Sequence, residues 1–558
     1  MEKKRILKIS LILICFTFLF GCSKEEKDNE TTSSPNSTNN VQETTYNETT
    51  INDNYRTFYE IFVRSYYDGN GDGIGDLQGL TEKLDYLNDN DPSTDTDLGI
   101  TGIWLMPIMQ SATYHKYDVE DYYTIDDEYG TMEDFDKLLE ECHKRNISVV
   151  IDFVFNHTSS RHEWFVKATD YIKNLKAGEV PSAEACEYFD YYQFEKDKGG
   201  TDKWHKVGKT DWYYYSQFGI TMPDLNLTNE KVKSGIEEAA KFWLDKGVDG
   251  FRLDAVKHYF DGDDDKNVET LKWFQDYCDS VKADTYNVGE VWDTLGTINK
   301  YYTSGVMSIF NYALGSSAGK LVETTNTAGN GVAGKTLAQN MVKLQELFSA
   351  SNPDYINSSF ITNHDNPRAA GYVGYDEQKV KYLAALNLMM DGTSYIYYGD
   401  ELGMTGSSKG DKNDPDYRTH MYWDVDGTKG ITEDPKNVSQ AQEHKFGTEV
   451  EQQKDKTSVL NYYKQAIKLR NTNPEIARGT IAVMTDITDG DIFATTRTYN
   501  DSTIEVIINN STETKTITVD QSKHSYSKLA GSLSVNEEEV KLDGDKLTLP
   551  AYGIAVLR

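Results

Sequence analysis

From residue 55 onward, short apolar, β-branched runs alternate with amphipathic stretches. The runs predict strands at residues 57–63, 102–107, 148–155, 250–253, 286–291, 360–362 and 394–398. Between them, apolar residues at helical spacing predict helices at 77–88, 131–145, 231–246, 271–282 and 378–390. Strand and helix alternating over several hundred residues predict a parallel sheet with crossover helices. The α/β class follows, and a (β/α)8 TIM barrel fits the length.

Two regions break the alternation. Residues 158–220 form a long, irregular, aromatic excursion after the run that ends near Phe155. Such an excursion inside a barrel is usually a functional loop or a small subdomain. After about Arg478 the pattern changes to short alternating strands at 481–484, 491–499, 504–509, 515–519 and 547–557, an all-β C-terminal domain. The expected order is a barrel from 55–157 and 221–477, an inserted domain at 158–220 and a β-sandwich at 478–558.

The N-terminus carries a different signal. Met1 to Arg5 is basic, and the apolar run to Phe20 is short for a membrane span, so a signal peptide over 1–21 is favoured. Leu19, Phe20, Gly21 and Cys22 resemble a bacterial lipobox, although Phe20 is bulkier than usual there. That resemblance implies lipidation of Cys22 and a membrane lipoprotein at the cell surface, touching the membrane through its anchor only. The alternative is an ordinary secretory signal with an incidental cysteine. Residues 23–54 are rich in Ser, Thr, Asn and Glu, cannot bury enough apolar surface to fold, and read as a tether.

Composition narrows the partners. The chain of 558 residues has a formal net charge of −33, which argues against nucleic acid and anionic membrane as partners. A neutral polysaccharide meets no such repulsion. The 38 Tyr and 8 Trp residues suit stacking on sugar rings, but also suit a core. The five cysteines are odd in number and widely spaced, so neither a disulfide framework nor a metal cluster is indicated. A monomer is expected.

Three acids stand out: Asp254 in GFRLDAVKH, Glu290 in VGEVWD and Asp365 in ITNHDNPR. Each lies at or just past the C-terminal end of a predicted strand, the rim where barrel enzymes keep their sites. Glycosidic cleavage needs a carboxyl pair, one as proton donor and one as base or nucleophile. Arg252 and Asp254 are two apart on a strand and point the same way. The cation predicts a depressed carboxyl, suited to a nucleophile, or else a structural ion pair. Apolar neighbours of Glu290 predict a raised carboxyl, suited to a general acid, or else an exposed strand end.

Asp68, Asn70, Asp72 and Asp76 alternate with turn-permitting residues, and with the Ile74 carbonyl they follow the logic of a Ca2+ loop. Gly79 stands where an EF-hand has its final Glu, so a stand-alone structural site is indicated, or a metal-free turn. Asp152, Asn156 and His157 in DFVFNH, and Tyr117 beside Asp118 in YHKYD, are each weak signals alone.

Taken together these motifs resemble glycoside hydrolase family 13, the α-amylase family, over roughly residues 55–558. The segments DFVFNH, GFRLDAVKH, GEVW, the run 360–365 and MPDLN (222–226) carry the resemblance. It implies a barrel with domains B and C. It implies Asp254 as nucleophile, Glu290 as acid and base, and Asp365 as binder of sugar hydroxyls and stabiliser of the oxocarbenium-like ring. A nucleophile and acid about 5–5.5 Å apart give retention. The resemblance also implies Tyr117, His157, Arg252 and His364 around the reacting sugar, with Tyr117 as its platform. Lys257 and His258 would face the leaving group. Asn156, Asp224 and the carbonyl of His258 would form a second Ca2+ site.

Lys257 and His258 look like α-amylases, whereas residues 65–80 and 418–423 look like the oligo-1,6-glucosidase and neopullulanase branch. The expected activity is an α-amylase cutting internal α-1,4 links of starch or maltodextrins. The alternatives are an α-glucosidase, neopullulanase or cyclodextrinase, or a non-catalytic glucan-binding surface protein.

Overall fold

Eight short strands, buried along their whole length, close into a parallel barrel in the computed structural model. The structure describes residues 51–405, 412–424, 427, 430–439 and 443–558. The leader, Cys22 and the tether as far as residue 50 lie outside the described residues. The strands are β1 (Thr57–Ile61), β2 (Gly102–Leu105), β3 (Ser148–Phe153), β4 (Gly250–Leu253), β5 (Tyr286–Gly289), β6 (Ser308–Phe310), β7 (Ile356–Ser359) and β8 (Thr393–Tyr397). Each pairs with its neighbours in chain order, and β8 closes on β1.

Alternate residues of each strand face the barrel interior. Phe58 of β1 fills that space, stacked on Tyr286 at 5.4 Å and on Tyr395 at 5.0 Å. Its register partner is Gly102, where a Cβ would fall 2.5 Å from the Phe58 ring. The glycine is therefore a packing requirement. Beside this ring stack the interior is polar but satisfied: the Tyr286 hydroxyl reaches Ser308 Oγ at 3.0 Å and Ser358 Oγ at 3.3 Å.

That polar layer explains where the sequence pattern misleads. β7 is INSS, three polar residues of four, so periodicity places the strand at 360–362, just past its true end. β6 has three residues and is not predicted at all. The predicted helix 77–88 is two helices, Leu77–Glu82 and Leu84–Leu87, broken at Lys83. Helix Met132–Lys144 starts as predicted, with Thr131 and Asp134 forming a capping box.

The excursion after β3 contains helix Glu163–Lys173 and a three-stranded sheet of Phe194–Lys196, Trp212–Tyr215 and Trp204–Lys206. Phe165 anchors its core against Tyr192 at 5.0 Å and Tyr214 at 4.8 Å. Bridges His157–Asp224 and Tyr192–Leu225 tie both ends of the excursion together at the rim. A hairpin after β2, Met109–Ser111 with Val119–Ile125, carries residues 114–118 on its turn.

The C-terminal region forms a five-stranded and a three-stranded sheet. The predicted strand 547–557 is two strands in different sheets, Lys546–Leu549 and Ile554–Leu557. Tyr552 makes the turn between them at φ 57°. Phe493, Ile504, Val506 and Ile508 belong to the same core as the barrel, while Ile492, Ala494, Ile507 and Leu557 face the second sheet.

The folded body also begins earlier than the predicted tether allows. Ile51 is buried, and Asp53 pairs with Arg478 at 2.5 Å. Among the described residues Cys142, Cys186 and Cys278 are free, and no helix is long and apolar enough to cross a membrane.

Candidate active site

β3, β4 and β5 bring three acids to one cation. Asp152 and Arg252 are register partners, and Arg252 is also opposite Val288, two residues before Glu290. The ladder continues past the strand ends, since the Glu290 N–H donates to the Leu253 carbonyl at 3.0 Å. Arg252 Nη1 lies 3.0 Å from both Asp152 oxygens and 2.6 Å from Asp254 Oδ1. Its Nη2 lies 3.0 Å from Glu290 Oε2. One buried guanidinium therefore aligns Asp254 and Glu290 side by side. Ala255 takes a left-handed φ of 51°, which turns its N–H onto Glu290 Oε2 at 2.9 Å. A non-glycine residue held there stores strain at the rim.

This geometry corrects two electrostatic expectations. Asp254 is not depressed: burial pushes it up to about 8, with the Glu290 and Asp152 carboxylates adding and Arg252 opposing. Glu290 does not sit in an apolar pocket, because its carboxylate faces Arg252 and the Ala255 amide.

Asp365 approaches from beyond β7. Its Oδ1 takes a hydrogen bond from Arg418 Nη2 at 2.9 Å, and its Oδ2 is 3.1 Å from His364 Nε2. Burial would raise this carboxyl, but His364 and Arg418 hold it well below the usual range. The Tyr117 hydroxyl bonds Asp152 at 2.9 Å, and its ring stacks on His364 at 5.5 Å. His157 is buried, which lowers it to about 4, and its Nε2 lies 3.2 Å from the Tyr117 carbonyl oxygen. Lys257 pairs with Asp293, and His258 Nδ1 lies 3.3 Å from Asp261.

Asp254, Glu290, Asp365, Tyr117, His157, Lys257 and His258 all line one cavity of about 470 Å³. Arg252 and His364 lie beneath it. Sequence reasoning missed several other walls. Phe218 is 42% exposed and edge-on to His258 at 5.2 Å, and Trp292 is 50% exposed and stacked on Tyr312 at 5.0 Å. Arg418 lies in a motif singled out from sequence, but nothing local marked it as a partner of Asp365. A larger hollow, about 880 Å³, lies near the opposite ends of β2 and β3 and shares no residue with this set.

The loop before helix Leu77–Glu82 offers only hard oxygens, which suits calcium. Asp68 accepts from the Gly71 N–H at 2.6 Å and the Gly73 N–H at 2.8 Å. Asn70 and Asp72 accept from the N–H groups two residues on, at 2.9 and 2.8 Å. Asp76 accepts from Gly79 N–H at 2.6 Å as the cap of the helix. Among the described residues no three His, Cys, Asp or Glu groups converge at metal-binding distance, so the Asn70 side chain and Ile74 carbonyl would be needed. At the second expected site, Asn156 Nδ2 lies 3.5 Å from Asp224 Oδ2. Asp224 is pushed up to about 7 by burial, and its Oδ1 takes the Gln217 N–H at 2.8 Å. The expected His258 ligand is its backbone carbonyl, and its side chain faces Asp261.

A family model, the α-amylase catalytic domain, matches residues 60–479. The chain is 39% identical to alpha-amylase 3 of Dictyoglomus thermophilum over 427 residues, covering 76% of this chain and 78% of the relative. It is 30% identical to an oligo-1,6-glucosidase of Bacillus cereus over 532 residues, covering 81% and 89%. The solved structure of Eubacterium rectale Amy13B superposes with a TM-score of 0.85 at 42% identity, covering 90% of this chain and 95% of that one. The chain belongs to the α-amylase family and is a glycoside hydrolase of family 13.

Proposed function

We propose that this protein is an α-amylase that cleaves internal α-1,4 links of starch or maltodextrins with retention of configuration. The observation that carries the reading is the seating of Asp254 and Glu290 on the two Nη atoms of Arg252, with Asp365 in the same cavity. In the first step an Asp254 oxygen attacks the anomeric carbon while Glu290 gives its proton to the leaving oxygen. In the second, Glu290 takes a proton from water, whose oxygen displaces Asp254 from that carbon. The attack requires Asp254 to be ionised and Glu290 to carry the proton it gives. Asp365, kept ionised by His364 and Arg418, binds sugar hydroxyls and stabilises the developing positive charge.

Amylase action is favoured over glucosidase action by the relatives, since those named amylase are the more similar by identity. The exposed rings of Phe218 and Trp292 add apolar faces on which further sugars could stack. A second reading, exo-acting α-glucosidase, is favoured by one contact set. Arg418 spans Asp365, the His364 carbonyl and the Tyr114 hydroxyl, and so walls one side of the cavity.

The test uses amylose. Glu290→Gln is expected to lose at least about 10³-fold in kcat while still binding maltooligosaccharide. Near-normal turnover by that variant would remove the acid assignment. The wild type is expected to cut viscosity early relative to reducing-sugar release. Glucose as sole early product, with viscosity preserved, would favour the exo reading.

A further inference from the structure

His364 meets an acceptor at each ring nitrogen. Its Nδ1 lies 2.6 Å from Glu60 Oε1. Its Nε2 lies 3.1 Å from Asp365 Oδ2 and 2.6 Å from the Tyr117 oxygen. The Tyr117 hydroxyl has one proton, which it gives to Asp152 at 2.9 Å. A nitrogen facing an ionised carboxylate at this distance carries a hydrogen, and a ring with two such nitrogens is an imidazolium. The ring is 0% exposed and Glu60 is 1% exposed, so water supplies neither charge with a partner. A buried cation persists only when anions stand against it.

Asp365 is shared with Arg418, whereas Glu60 grips His364 twice, through Nδ1 and through the backbone N–H at 3.3 Å. Glu60 stands on β1 beneath the cavity and does not line it. We propose that Glu60 is a positioning residue of the catalytic centre, holding His364 as a fixed imidazolium that keeps Asp365 ionised beneath the cavity. This rests on the reading of the cavity as a glycosidase centre.

The groups around the ring are Glu60 from β1, Asp152 from β3, Arg252 from β4, Tyr117 and His115 from the hairpin after β2, Asp365 beside it, and Arg418. Burial opposes the proton. Asp365 and Glu60 outweigh it and raise the ring to about 9.

Glu60→Gln keeps the shape and an acceptor oxygen but removes the anion. Ring ¹⁵N NMR of histidine-labelled full-length protein reads the state of His364 directly, with its signal assigned by loss in His364→Gln. The wild-type ring is expected to stay doubly protonated through pH 8. In Glu60→Gln its midpoint is expected to fall by at least about one pH unit, and the alkaline limb of kcat/KM to move with it. Glu60→Asp, which retains the charge, is expected to recover much of both. A wild-type ring that is neutral at pH 7, or equal midpoints in wild type and Glu60→Gln, overturns the proposal. The wild-type titration decides even if the variant fails to fold. Because it needs no turnover, loss of the ring result and absence of glucan hydrolysis are separate outcomes.

Discussion

Arg252 sets the chemistry of the cavity by holding three carboxylates on two nitrogens. Removing any one acid changes both stability and function, and in opposite directions for Asp254. Its folded value, raised to about 8 by burial, lies above an unfolded value of about 4. The stability linked to this group is therefore fully present below about pH 4 and is lost as pH rises toward 8. Asp254→Asn removes that loss while Arg252 keeps Asp152 and Glu290. At pH 7 the variant is expected to be inactive yet more stable by about 1 kcal/mol. A thermal melt of the variant at or below the wild-type midpoint would show that the Arg252 pair, not burial, dominates. Local sequence supports the Arg252–Asp254 pairing, because two residues on a strand share a face. It does not mark Glu60 or Arg418 as partners of the site, since they stand 304 and 54 residues away in the chain from His364.

Elements place these residues through packing more than through propensity. β1 delivers Glu60 because Phe58, two residues earlier, is clamped between Tyr286 and Tyr395 above the space that Gly102 leaves open. Gly102→Ala pushes a methyl into a ring that cannot move aside. The expected cost is about 2 kcal/mol in denaturant unfolding, from overpacking alone. A change below about 0.5 kcal/mol would mean that the barrel relaxes around the added atom. The strands that sequence located best are the apolar ones, β3 and β4. β6 and β7 escaped because their buried serines and asparagine are satisfied by partners on other strands, such as Tyr286 Oη on Ser308. Periodicity sees only that those residues are polar.

At the scale of the molecule, barrel and C-terminal sheet share one core, in which Phe493, Val506 and Ile508 are buried. The oxygen-rich loop from Asp68 to Asp76 leads into helix Leu77–Glu82, and Asp68 bridges to Gly430 across the molecule. Calcium there would brace the loop that carries this bridge. Exhaustive chelation is expected to lower the melting temperature by several degrees and added Ca2+ to restore it, since ligand bound only to the native state stabilises it. Asp72→Ala should abolish that response. A melting temperature indifferent to chelator and to Ca2+ would identify the loop as a helix-capping turn alone.

Sequence by itself determined the class of fold, the rim on which the acids lie and their motifs, because strand alternation and residue order along a strand are local properties. Its net charge of −33 also argues against a polyanionic partner. Only the tertiary structure decided the electrostatics. Whether Arg252 or burial governs Asp254, and what charge His364 carries, depend on sums over groups from β1, β3, β4 and the loops beyond them. Such sums are set by distance in space and exclusion of water, and neither is written in the order of residues along the chain.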